Sequence, residues 1–163
     1  MPRLGRGSNE DSFLSTSVKL EGASGVHLHV LAVFDGHSSS SVSILLMEQL
    51  AQLLTHLISS SLPSSAGAAD VDAVMPQVLQ AAFEQLDARV PPLDNSGSTA
   101  TVAVITPQQI HLAWVGDSRS VLLGQAGRVL GFTLEHRATR DDETVRRLHY
   151  NACRLVAGCM QCR

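Results

Sequence analysis

The chain has 163 residues, enough for one ordinary domain, and 44% hydrophobic against 17% charged residues describe a globular protein rather than a disordered one. A formal net charge of −3 leaves no basic footprint and argues against nucleic acid as the main partner. No unbroken run of about 18 apolar residues occurs, so no membrane span is expected, and the start, MPRLGRGSNEDSF, lacks the apolar stretch of a signal peptide. An intracellular compartment is expected, cytoplasm or nucleus first, with an organelle still open.

In chain order, VHLHVLAVF from Val26 puts Val26, Leu28, Val30, Ala32 and Phe34 on one face at period two. His27 and His29 share the other face with Leu31 and Val33, which predicts a strand open on one side early and buried on both sides late. The strand stops at Asp35-Gly36-His37, where a turn and a ligand site need the same residue types. Leucines at helical spacing from Val42 to Leu57, with serines ahead as N-caps, predict a helix over 41–58. SSSLPSSAGAAD then looks like a linker within the domain. A second helix is expected from about Val74 to Val90, with Asp70 and Asp72 at its N-terminal end and Pro76 tolerable only in its first turn.

From Ser98 the period changes to two. STATVAVI, IHLAWVG, SVLLG and RVLGFT, separated by turns at TPQQ and QAG, predict an antiparallel meander. LEHRATRDDETVRRLHY follows as a polar connection and a short helix, with Asp141 and Asp142 near its start. The order strand, helix, helix, strands predicts an α+β fold with helices on one face of an antiparallel sheet. Cys153, Cys159 and Cys162 crowd the last eleven residues, an odd count that is no disulfide framework. With His149 they form at best a weak zinc pattern, and an unpacked tail is expected instead.

Five segments in order then carry a resemblance: RGSNED with Arg6, Glu10 and Asp11; FDGH with Asp35, Gly36 and His37; GSTA from Gly97; GDSR with Asp117; and LEHRATRDDE. Together they resemble the type 2C metal-dependent protein serine/threonine phosphatases, over about Arg6 to Leu148. The resemblance implies the front part of that family's α-β-β-α sandwich, built on antiparallel sheets. Residues 1–150 are read as an incomplete domain of this kind and 151–163 as a divergent Cys-containing tail.

The implied activity is hydrolysis of phosphoserine and phosphothreonine on phosphoprotein partners, by a hydroxide bridging two Mg²⁺ or Mn²⁺ ions. Asp35 matches the carboxylate bridging both ions, Gly36 a backbone-carbonyl ligand, and Asp11 with Glu10 the adjoining carboxylate wall. Asp117 matches an aspartate of a third, weaker ion. Arg6 matches the arginine gripping the phosphoryl oxygens, and His37 the general acid for the leaving alkoxide. His56, His111, His136 and His149 are read as satisfied or exposed histidines.

The chain departs from the pattern in several places. Ser38-Ser39 stand where the family has Gly-Gly or Ala-Gly, and Glu135 where it usually has aspartate. No carboxylate follows Glu143, although the family draws further metal-binding aspartates from later segments, and the family's first strand would precede Arg6. The chain is therefore expected to be a truncated, mis-spliced or divergent fragment, a half-sandwich with open apolar faces. The alternative to an enzyme is a catalytically inactive relative acting as a binding or regulatory module. A serine hydrolase using Ser118 lacks the Asp-x-x-His that would have to follow it.

Overall fold

A computed structural model of the chain describes residues 9–20, 25–91, 95–136 and 158–162. Nine strands and two α-helices follow in order: β1 (Ser12–Lys19), β2 (His27–Phe34), β3 (Gly36–His37), α1 (Ser41–Ser61), α2 (Ala68–Arg89), β4 (Gly97–Ser98), β5 (Ala100–Ile105), β6 (Ile110–Val115), β7 (Val121–Leu123), β8 (Val129–Phe132) and β9 (Gly158–Cys162). The main sheet has the order β1-β2-β5-β6-β9, antiparallel throughout, while β3-β4 and β7-β8 form separate two-stranded pairs. The α+β expectation holds, with both helices on one face of the sheet.

That face is the core. Leu28, Val30, Ala32 and Phe34 of β2, Val102 and Val104 of β5 and Ala113 of β6 are buried against Leu46, Leu50, Leu54 and Ile58 of α1 and Val71, Met75, Leu79 and Phe83 of α2. At about 25 cal/mol per Å² of apolar area removed from water, this layer is the main stabilising term. By length and composition α1 could cross a membrane. Its leucine stripe is nevertheless buried against the sheet and α2, as in the core helix of a globular domain.

The structure departs from the sequence reading at four points. First, β1 is a strand that periodicity does not announce: its inward face, Ser12, Leu14, Thr16 and Val18, is half polar and carries little apolar alternation. Second, Leu31 and Val33 are 43% and 51% exposed, not buried on both faces, and Phe13 across from Val33 is 74% exposed. Nothing among the described residues covers this side of β1 and β2. Third, α2 begins at Ala68 and places Pro76 in its interior. The start is favoured by Asp70, whose carboxylate accepts the Gly67 N–H at 2.8 Å, and α2's buried face outweighs the backbone bond a proline forfeits. Fourth, β7-β8 leaves the meander as its own hairpin, and Gly158–Cys162, expected as an unpacked tail, pairs with the free edge of β6.

His111 and Asp72 join the layers. His111 Nε2 lies 2.8 Å from Asp72 Oδ1, both side chains fully or almost fully buried, so α2 is tied to β6 beneath the sheet. The reading of His111 as a satisfied histidine holds at Nε2 alone, since its buried Nδ1 has no partner among the described residues; its partner Asp72 was expected only at a helix end. His27 and His29 are exposed strand positions, and His29 Nδ1 lies 2.8 Å from Ser17 Oγ.

Candidate functional site at the strand ends

The site is built where β1, β2 and β6 run out of apolar residues. Ser12 pairs with Phe34, so the next residues outward, Asp11 and Asp35, face each other across the same two strands. Past Phe34 the backbone is held by Thr99: the Asp35 N–H donates to Thr99 Oγ1 at 3.1 Å, and the Thr99 N–H donates to the Asp35 carbonyl at 2.9 Å. Thr99 Oγ1 also shares a 2.7 Å hydrogen bond with Ser118 Oγ, and Thr101 Oγ1 donates to the Ser118 carbonyl at 3.2 Å. One threonine thus couples the turn bearing Asp35 to the loop bearing Asp117.

Gly36 is buried, and a Cβ there would overlap the Glu10 carbonyl oxygen and come within 3.1 Å of Ser43 Oγ. No other residue fits, so the close approach of the two strand ends depends on glycine. Ser43, fully buried in the first turn of α1, donates to the Glu10 carbonyl at 2.6 Å, and Ser12 Oγ donates to Ser43 Oγ at 3.2 Å. This locks the residue preceding Asp11 to the start of the helix that follows His37. Ser38 has φ +70°, the left-handed region a glycine occupies without strain. Serine at this position therefore carries local strain that a glycine would not.

Electrostatically the rim is frustrated. The Asp35 carboxyl is held above the ordinary aspartate value, first by partial burial, then by the charge of Asp11, by a carboxyl–carboxyl hydrogen bond with Asp11, and by Asp117; His37 acts in the opposite direction. Asp35 keeps substantial solvent exposure all the same. Asp11, Asp117 and His37, from three separate segments, therefore all act on Asp35 at one end of the sheet. Glu10 takes part through its backbone carbonyl. Glu135 forms an ion pair with Arg119, and His136 stacks on Trp114 with ring centroids 6.0 Å apart while its N–H donates to the Gly116 carbonyl at 2.8 Å. Arg6, Asp141, Asp142 and His149 lie outside the described residues.

The donor set is all oxygen and gathers like charges, the chemistry that suits a hard divalent cation. Among the described residues, however, no three His, Cys, Asp or Glu side chains come together as a closed metal-ligating group. The described chain presents an open carboxylate rim that fits part of such a centre. Two contributors escape a sequence reading: Ser43, signalled only by a hydroxyl in register with Leu46 and Leu50 on an apolar stripe, and Thr99, inside a recognised motif but without a role there.

An antiparallel sheet backed by two helices, with aspartates and a histidine gathered at its strand ends, defines an α+β protein with an acidic site. The sequence profile of the Protein phosphatase 2C family matches residues 4–151, and the chain belongs to that family. Among curated relatives it is 31% identical over 128 residues to probable protein phosphatase 2C 15 of Arabidopsis thaliana, covering 78% of this chain and 28% of that one. It is 33% identical over 137 residues to probable protein phosphatase 2C 33 of Oryza sativa subsp. japonica, covering 82% and 31%. The chain thus spans only about a third of the length of these relatives. Of solved structures, a C. elegans sex-determining protein superposes with a TM-score of 0.64 at 28% identity, covering 88% of this chain and 35% of that one. A bacterial serine phosphatase shares the fold, with a TM-score of 0.61 at 16% identity, covering 98% and 66%.

Proposed function

We propose that the chain is the front part of a metal-dependent protein serine/threonine phosphatase, acting on phosphoserine and phosphothreonine in phosphoproteins. The observation that carries this reading is geometric: strand register sets Asp11 opposite Asp35 at one end of the sheet, and Thr99 ties the turn bearing Asp35 to the loop bearing Asp117. Asp11 and Asp35, with the Gly36 carbonyl and the adjacent Glu10, would hold Mg²⁺ or Mn²⁺, and Asp117 a further ion. Bound there, such ions neutralise phosphoryl charge and make water more acidic. Arg6 offers a planar fork to the phosphoryl oxygens, and His37 holds the proton for the leaving serine or threonine oxygen.

A second reading, a non-catalytic relative serving as a binding or regulatory module, is favoured by the open carboxylate rim, in which no three ligating side chains come together among the described residues. Phosphate release from a phosphothreonine peptide, measured for residues 1–163 with Mn²⁺ and with chelator, separates the two. Mn²⁺-dependent release supports the enzyme. A folded chain that releases none favours the module, and release insensitive to chelator would falsify the metal-dependent mechanism.

A further inference from the structure

We propose that Gly97 is a positioning residue: its missing side chain is the seat in which the His37 imidazole lies beside the carboxylate rim. The inference rests on the reading of His37 as the general acid. In the short ladder between β3 and β4, His37 and Gly97 are direct cross-strand partners, with Gly36 opposite Ser98. Side chains of such partners stand on the same face of the ladder. A Cβ built on Gly97 falls on Cε1 and Nε2 of the His37 ring, with Cδ2 at 3.5 Å. The ring therefore occupies the space a side chain at position 97 would fill.

Gly97 is not among the glycines with positive φ, so the backbone there is one any residue adopts, and space alone requires glycine. His37 itself is exposed, and among the described residues no hydrogen bond or ion pair fixes its ring. Contact with the bare strand is what defines its position. The clash created by a methyl group at 97 would fall on the end of this exposed ring and not on backbone. The ring then swings aside and the sheet survives, all the more because alanine is favoured over glycine in a strand.

The consequence is specific to the leaving group. As water forms its bond to phosphorus and the P–O bond to the serine or threonine breaks, the imidazolium N–H passes its proton to the departing oxygen, releasing alcohol and inorganic phosphate. An aryl phosphate, whose phenolate leaves without a proton, does not need that transfer. Displacing the ring by even about 1 Å removes the transfer and leaves the rest of the site in place.

The test compares the 163-residue chain with its Gly97→Ala, His37→Gln and double variants in Mn²⁺, on a phosphothreonine peptide and on p-nitrophenyl phosphate. Gly97→Ala is expected to slow the peptide about 10-fold or more and the aryl ester less than about 3-fold, with no further loss in the His37→Gln background. In the metal-free wild-type chain, an NMR cross-peak between His37 Hε1 and the Gly97 Hα protons is expected. Equal losses on both substrates, an added loss in the double variant, or a missing cross-peak overturns the proposal. Should the wild-type chain turn over neither substrate, the phosphatase reading fails. The cross-peak alone then decides whether the seat exists.

Discussion

Strand β2 passes, within a few residues, between two regions that obey opposite rules. From Leu28 to Phe34 every second side chain is buried against the helices, each contact adding to stability. One residue further on, Asp35 meets Asp11 and Asp117, and its carboxyl is pushed toward the protonated form. The core is locally consistent with the fold; the rim opposes it. Stability and chemistry are thus held on adjacent parts of one strand, and substitutions should affect them in opposite directions.

The largest expected effect lies at the rim. Asp35→Asn should lower any Mn²⁺-dependent phosphate release at least ~100-fold, because it removes the carboxylate proposed to hold the metal. The same substitution should raise the melting temperature of the metal-free chain at neutral pH. A carboxyl whose pKa is raised on folding binds its proton more tightly in the native state. Its contribution is present at low pH and is lost as pH climbs from the ordinary aspartate range through the raised value. In chelator, wild type should lose stability across that window and Asp35→Asn should not; parallel melting curves against pH would break the comparison.

In the core, Leu50→Ala should cost about 2–5 kcal/mol in urea unfolding, since Leu50 is fully buried between sheet and helices. Activity per folded molecule should be retained. Next comes the tie between α2 and β6. Asp72→Ala leaves His111 buried without its partner and should cost about 1–3 kcal/mol, while Asp72→Leu with His111→Phe should cost less than the two single changes summed. Asp72 Oδ2 and His111 Nδ1 already lack partners among the described residues, which is why an apolar pair is tolerable there.

Two smaller effects sharpen the contrast. Ser38→Gly should stabilise by about 1 kcal/mol, because glycine accepts the φ of +70° without the penalty serine meets. Phe13→Ser, on the sheet face that no described residue covers, should change the unfolding free energy in urea by no more than about 0.5 kcal/mol. A loss well above 1 kcal/mol would mean that this face is covered in solution.

Much of this was legible in the sequence. The alternation of β2, the leucine stripe of α1 and the turn-separated strands from Ser98 carry strong periodic signals, and the structure follows them closely. The signal fails where polar residues face inward. Ser12 and Thr16 mask β1, and Ala68-Ala69-Asp70 looks like a linker until its buried neighbours make it helix. Two-residue pairings such as β3-β4 are too short to have a period at all.

What the amino-acid sequence determined by itself is the set of elements and the chemical types at their ends, since propensity, periodicity and turn chemistry act over a few residues. Only the tertiary structure decided which of these ends meet. Asp11 faces Asp35 because of strand register, Thr99 links Asp35 to Ser118 across 64 and 19 positions of chain, and Gly97 leaves room for His37. Leu31 and Val33, apolar by composition, are exposed because nothing among the described residues packs on their side. Burial and charge coupling depend on neighbours distant in sequence, and no local pattern encodes them.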